Sequence, residues 1–547
     1  MKRSFVLSYV FVRLVLAVSI PIDDCDETMN YWEPLHYLIY NKGLQTWEYS
    51  PEFSLRSYFY LYLFGAPAFL CKLFFPQLSK PTIMLITKLF LTLLLSISEL
   101  LLVSALKSYS KLLSLISSVF ILFSVPIIKA SPAFLPSSSS LFLLNLAFYC
   151  VLKGTHLSYL FALSLSFAAF LWVWPFSVLC FVSVILFSLY KIFTTTSLKK
   201  IIFQFSFCFL LVFLPQVLVD SYLYGKLTLP SINIVVYNVF SSNGGPELYG
   251  VEPWYYYGLN LLVNGGIIFV LSILGIFALF YSLILFIKGQ YFGSNFFPSF
   301  LIGVPSLIWF IFMSFQPHKE ERFMHPSLTG YSVTAAYLLD KIFNKILTLK
   351  IRPKLKRISV VLYSICLFVI VLFVLLFAGL RCLALYSHYN APATVYSELY
   401  NRLSTNQNSN LTVCVGKEWY RFQSHFYMPR SARLAFITSS FTGQLPQYFD
   451  ESSNGLRVVQ SGFNDLNVGD LSRFVDVSDC DYVVDFEILS QQEPYLSKDD
   501  HWKVIFEAKF LDSEYSSSFC KLIFHSYLEK FCVYGRYLLL KKEKEEG

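Results

Sequence analysis

Charge is scarce in this chain. Aspartate, glutamate, lysine and arginine together supply 14% of its 547 residues, against 55% hydrophobic. Soluble domains carry roughly 25%. Apolar runs of 16 or more residues recur along positions 1–385, which places most of that stretch in a bilayer and makes this a polytopic membrane protein. Metal-ligand spacing is missing as well, because none of the eleven cysteines stands in a C-x-x-C pair. Cys150, Cys180, Cys208 and Cys366 fall inside apolar runs as small packing residues. Cys414, Cys480, Cys520 and Cys532 share a polar C-terminal region, where one or two disulfides are expected if it faces an oxidising compartment. No repeat relates the two halves, and Arg13, Lys88 and Glu99 are the few ionisable groups within apolar runs, so little supports a transporter. The closing segment 541–547 has no K-D-E-L-type retrieval signal and reads as a solvated tail.

The formal charge of +8 does not call for nucleic acid. Lys341–Arg357 alone holds seven basic residues and no acid, which is the mark of a cytosolic loop under the positive-inside rule. Lys2 and Arg3 before the apolar stretch Phe5–Ile20 mark a cleaved signal peptide or a first span. Either puts the following loop away from the cytosol. Basic turns and apolar runs together predict about 11 spans, near 5–20, 83–106, 112–129, 138–152, 157–173, 176–191, 201–220, 260–287, 298–315, 325–344 and 358–380. Residues 57–76, interrupted by Gly65, Pro67 and Lys72, are expected to lie along the membrane. This gives a transmembrane domain over 1–385, with a first luminal loop at 22–82 and a long irregular one at 221–258, and a luminal domain over 386–547. Short alternating stretches such as Leu411–Val415, Arg457–Gln460 and Cys480–Phe486 predict a mixed α/β fold for the latter. The sequon at Asn410 fits a luminal placement and makes Asn410 a candidate glycosylation site.

That topology gathers four motifs at one membrane face: the first loop, Ser131–Ser137, the long loop, and QPHKEERF at 316–323. The first loop holds seven acids between Asp23 and Glu52. Asp23, Asp24, Asp26 and Glu27 are close enough to disfavour joint ionisation, which can hold one as a proton acceptor. Trp32 and Trp47, with the tyrosines among them, suit the apolar faces of a sugar ring. The same residues also fit a solvated loop with interfacial aromatics. In the second motif, His318, Lys319 and Arg322 sit at headgroup level, where cations are costly unless paired or used; they fit either a lipid phosphate or internal pairing with Glu320 and Glu321. Trp172 and Trp174 read as interfacial anchors or groove linings, and Glu252 and Trp254 as glycan contacts or loop packing.

DCDETMNYWEP (24–34), QTWEYSPEFSLRSY (45–58), DSYLYGKL (220–227), NIVVYNVF (233–240), LYGVEPWYYY (248–257), QPHKEERF (316–323), VCVGKEWYRF (413–422) and GQLP (443–446) run in order along nearly the whole chain. They resemble glycosyltransferase family 22 of the GT-C superfamily, and within it the dolichyl-phosphate-mannose-dependent α-1,2-mannosyltransferases of lipid-linked oligosaccharide assembly. One departure is Val173, where that family has glycine before Trp-Pro-Phe. The resemblance implies an endoplasmic reticulum enzyme that moves mannose from dolichyl phosphate mannose to dolichyl-pyrophosphate-linked glycans with six and with eight mannoses. Related enzymes of other linkage, in GPI-anchor synthesis or making α-1,6 bonds, remain the alternative.

A β-linked donor and an α-linked product imply one displacement, one base and charge neutralisation at phosphate. Asp26 is the expected base, followed by Glu27 and then Asp24. Lys319 and Arg322 lead the candidates for the donor phosphate, with His318 and Arg56 behind them. Trp32, Glu33, Trp47, Glu48, Glu252 and Trp254 are the candidate substrate contacts. No metal or other cofactor is expected. The luminal domain is expected to help hold the glycan through Trp419, Tyr420 and Tyr427.

Overall fold

The computed structural model describes residues 2–240, 245–290, 293–404, 410–488 and 496–543. The last part of the expected tail, 544–547, lies outside them. Residues 3–404 are overwhelmingly helical. Local signals set the ends: the Ser79 side chain accepts from Thr82 N to open Lys80–Leu106, while Pro136–Lys153 begins on proline and stops at Gly154 in the left-handed region (φ 75°).

Each apolar run expected to span is helical. Seven of the helices among the described residues are long and apolar enough to cross a membrane unaided: Lys80–Leu106, His156–Val173, Pro175–Thr195, Leu198–Tyr224, Tyr256–Ile287, Phe296–Phe315 and Pro353–Tyr389. Arg3–Val18, Lys111–Phe123, Pro136–Lys153 and Leu328–Thr348 are shorter or more polar. The last two pack deep inside the helical body, where a helix faces protein and need not be apolar all round. Tyr58–Phe64 and Ala66–Phe74 break at Gly65, where a Cβ would meet Leu61 O at 2.5 Å. At 1.5 Å per residue neither reaches across a bilayer. The long loop is less irregular than its composition implies, because Pro230 starts an eleven-residue helix, Pro230–Phe240.

Arg13 and Glu99 pair at 2.9 Å, fully buried. Tyr9 donates to Glu99 at 2.8 Å and Arg13 to Ile121 O at 2.8 Å, so the pair ties three helices together.

Beyond the helices lies a six-stranded mixed sheet in the order 474–475, 432–437, 411–415, 482–487, 534–542, 502–511, in which 534–542 runs antiparallel to both of its neighbours. Val413, Val415, Leu434, Val484 and Leu539 pack against Val395, Leu399 and Leu403 of the Ala391–Ser404 helix. The four cysteines of this region, for which one or two disulfides are expected, form two, Cys414–Cys480 and Cys520–Cys532. The expected strand at Arg457–Gln460 is not formed: Arg457 ends a 3-10 helix, Gly455–Arg457, and donates to Tyr222 O of the helical body at 2.7 Å, and residues 458–460 pair with no strand.

The sheet domain grips the first loop. Leu44–Gln45 pairs antiparallel with Gln447–Tyr448, and Tyr37 stacks on Phe449 at 4.3 Å. Glu33, fully buried, accepts from Ser424 Oγ (2.7 Å) and His425 N (2.6 Å) and pairs with His425 Nδ1 (2.6 Å). These contacts fix the loop over the helices.

Candidate active site

After the Arg3–Val18 helix the chain turns through Asp23 into a second helical run. Asp24 caps it, accepting from Asp26 N at 3.0 Å and Glu27 N at 3.4 Å. The run widens into a π turn, Thr28–Trp32, before Glu33–Tyr40, a distortion that is frequent at functional sites. Asp26 faces open space. Glu27 faces the protein interior, where its Oε1 accepts from Trp32 Nε1 at 2.9 Å and from Phe134 N at 3.0 Å.

Arg322 stands opposite. Its Nη2 bonds Asp26 Oδ2 at 2.6 Å, and the same guanidinium is bonded to Asp24 and Glu320. Arg56 approaches Asp26 to 3.9 Å from another side, held by Glu48 at 2.7 and 3.0 Å and by Tyr31 Oη at 2.7 Å. His318 bridges Glu320 at 2.8 Å and Gly250 O at 2.9 Å. Burial pushes the Asp26 carboxyl up, but Arg322 and Arg56 outweigh it and hold its pKa below the ordinary value. For Asp24 burial wins over Arg322, and with Asp26 nearby its pKa is pushed up to about 7. Burial also raises Glu27. Burial opposes a charged His318 ring, yet its bonds to Glu320 and Gly250 O raise its pKa overall. Of these three carboxyls Asp26 gives up its proton most readily, while Asp24 and Glu27 hold theirs to higher pH.

Two cavities meet at this cluster. The larger, about 630 Å³, takes in Asp26, Tyr31, Trp47, Glu48, Arg56 and Arg322. The smaller, about 310 Å³, takes in Asp23, Asp24, Glu27, Lys88, Lys129 and His325. Asp26, Glu320 and Arg322 border both. Among the described residues, no group of three or more His, Cys, Asp or Glu is arranged to hold a metal ion.

A profile of the Alg9-like mannosyltransferase family matches residues 4–429. The chain belongs to that family. The human protein named alpha-1,2-mannosyltransferase ALG9 is 35% identical over 97% of this chain and 87% of its own length. The Arabidopsis thaliana protein of that name is 32% identical over 97% and 90%, and the Saccharomyces cerevisiae protein 33% identical over 90% and 87%. Among solved structures, ArnT from Cupriavidus metallidurans bound to undecaprenyl phosphate aligns with a TM-score of 0.49 and 12% identity, covering 81% of this chain and 87% of that one.

For this glycosyltransferase the four motifs do converge. Ser137 of the Ser131–Ser137 motif, Tyr237, Asn238 and Tyr249 of the long loop, and His318 and Arg322 all line the larger cavity. Trp47 and Glu48 do too, but the other expected substrate contacts do not. Trp32 and Glu33 are fully buried, engaged with Glu27 and His425. Trp254 is 72% exposed and borders neither cavity, and Glu252 serves through its backbone. Lys319 is corrected as a leading phosphate ligand: it is buried, donates to Glu252 O and Gln316 O, and so ties two loops together. Trp172 donates to Val212 O at 2.7 Å, and Trp174 packs at 5.4 Å on Trp309 and lines the larger cavity, so neither reads as an interfacial anchor. Of the three aromatics expected in the glycan contact, only Trp419 reaches the cavity.

Lys129 is the cation that sequence reasoning missed. It bridges Asp23 and Glu321, each at 3.1 Å, and joins the first loop to 316–323. Its signal was a lone lysine closing an apolar run just before Ser131.

Proposed function

We propose that the chain is an inverting α-1,2-mannosyltransferase that moves mannose from dolichyl phosphate mannose to a dolichyl-pyrophosphate-linked oligosaccharide, at the luminal face of the endoplasmic reticulum membrane. The observation that carries this reading is the Asp26–Arg322 contact at the border of two cavities. One side of that contact accepts a proton and the other offsets a phosphate charge.

Transfer is a single displacement. The acceptor hydroxyl oxygen forms a bond to mannose C1, the C1–O bond to phosphate breaks, and the electron pair leaves on the phosphate oxygen. Asp26 takes the hydroxyl proton, for which it must start ionised, and its lowered pKa supports that state at neutral pH. Arg322 and Arg56 offset the charge gathering on dolichyl phosphate, with Glu48, Asp24 and Glu320 orienting the two guanidiniums. His318 adds a further cation when protonated. Glu27, bonded to Trp32 and Phe134, holds the loop instead of sharing the base role. Two cations at the phosphate supply what a divalent ion supplies elsewhere, so the reaction is proposed to run without metal.

The test is transfer by purified full-length protein from synthetic dolichyl phosphate mannose to lipid-linked acceptors with six and with eight mannoses, in the presence of EDTA. A product cleaved by α-1,2-specific mannosidase is expected. A product resistant to it, or no transfer to either acceptor, overturns the assignment.

A further inference from the structure

The larger cavity has a lining of three kinds. Phe176, Phe312, Met313 and Trp174, from the helical body, supply apolar surface. Asp26, Glu48, Arg56 and Arg322 supply a charged cluster. The share contributed by the sheet domain, Trp419, Phe441, Gln444, Leu445, Pro446 and Asn467, carries no ionisable group. These three kinds of surface match the three chemistries of the substrates: a polyprenyl chain, a phosphate with its reacting sugar, and a neutral glycan.

The sheet-domain wall is built rather than incidental. Trp419 and Phe441 both line the cavity, their ring centroids 4.8 Å apart and their planes tilted by 44°, and so supply the aromatic surface on which the C–H faces of a pyranose pack. Asn467 takes a left-handed backbone (φ 55°), and its side chain accepts from Gln444 N at 3.0 Å. A Cβ on Gly443 would meet Phe441 at 2.6 Å and Asn467 Oδ1 at 2.8 Å, so glycine there lets ring and amide close on one another. Gln444 is pinned in turn through Nε2 to Gly462 O at 3.0 Å. The wall is also tied to the helical body, where Tyr237 donates to Asp465 O at 3.4 Å. At about 630 Å³ the cavity falls in the roughly 300–1,000 Å³ range that encloses ligands larger than one sugar ring.

We infer that Trp419, Phe441, Gln444 and Asn467 form an acceptor subsite that takes a mannosyl residue back from the hydroxyl receiving the new mannose. The inference rests on the transferase reading above. The subsite contributes to binding of the acceptor, leaves the donor's phosphate alone, and makes the sheet domain the part of the enzyme that reads acceptor length.

The test uses the full chain with the six-mannose lipid acceptor, varying each substrate separately. Trp419→Ala and Gln444→Ala are each expected to raise the acceptor KM about tenfold with donor KM unchanged, and Trp419→Phe to restore most of the loss. On a shortened synthetic acceptor lacking the sugars behind the reacting mannose, wild type and variants should be equal. Equal acceptor KM for wild type and Gln444→Ala, or a penalty that persists on the short acceptor, overturns the subsite. Gln444→Ala keeps the test valid if Trp419→Ala fails to fold. Wild-type protein that transfers no mannose indicts the transferase reading itself, whereas an active wild type with indifferent variants indicts only the subsite.

Discussion

Arg322 bonds Asp26 at 2.6 Å across 296 residues of chain, joining the first loop to the short link that follows the Phe296–Phe315 helix. Asp24 and Glu320 complete a carboxylate ring around the same guanidinium. A planar fork is needed to serve this many oxygens at once, and a point charge does not replace it. Arg322→Lys is therefore expected to keep the charge yet raise donor KM by about tenfold or more. Lys319→Met, by contrast, should lower thermal stability and leave donor KM close to wild type. Steady-state kinetics at saturating acceptor, with melting curves in detergent, separate the two.

Asp24 gives the reaction a pH signature. With its pKa pushed up to about 7, it is largely protonated below that value and ionised above it. On the proposed reading, ionised Asp24 competes with phosphate for Arg322. Donor KM should rise as pH climbs through about 7, and Asp24→Asn should flatten the rise. A donor KM profile from pH 5.5 to 8.5, wild type against variant, reads this directly.

Glu33 is expected to matter for assembly instead of chemistry. Burial raises its pKa, but His425 and the bonds from Ser424 hold it below the ordinary value. A depressed folded-state pKa means stability that is fully present above the unfolded value and lost as pH falls through the folded one. Docking should be complete at neutral pH and weaken in acid. Glu33→Ala removes one partner of a buried pair, at a cost of about 3–5 kcal/mol. Limited proteolysis of the sheet domain and unfolding curves at pH 7 and pH 4 measure both effects.

Cys414–Cys480 closes 66 residues and Cys520–Cys532 closes 12. In the chain-entropy treatment the first contributes ~4 kcal/mol and the second ~3 kcal/mol. Cys414→Ser should therefore destabilise the sheet domain more than Cys520→Ser, as read by thermal unfolding without reductant.

Asn410 is exposed immediately before the strand Leu411–Val415. A luminal sheet domain should carry a glycan there. Expression in eukaryotic membranes should give an endoglycosidase-sensitive mobility shift that Asn410→Gln abolishes. Protease protection of the sheet domain in sealed microsomes checks the same orientation, and its digestion from the cytosolic side contradicts it.

Much of this was legible because charge is rare here. In a chain of apolar helices Asp26 and Arg322 stand out, and the basic turns between the apolar runs put their motifs on one membrane face. What the sequence could not convey was direction. Lys319 and Arg322 lie three residues apart, yet one points into loop backbone and the other into the cavity. Glu33 looked like one more acid in an acidic loop, because nothing local signals a partner 392 residues away. The Pro230–Phe240 helix was hidden among residues that read as loop, although proline at its first position is a helix start as well as a turn signal. The sheet domain's share of the cavity was legible only in Trp419; Phe441, Gln444 and Asn467 come together through turns that a linear reading does not fold.

If Asp26 takes the proton while Arg322 holds the phosphate, Asp26→Asn separates the two roles. Mannosyl transfer and binding of dolichyl phosphate mannose are measured side by side for wild type, Asp26→Asn and Glu27→Gln. Asp26→Asn is expected to abolish transfer, by roughly 100-fold or more, while donor still binds, and Glu27→Gln to keep substantial transfer. Transfer that survives in Asp26→Asn and disappears in a folded, donor-binding Glu27→Gln contradicts these roles.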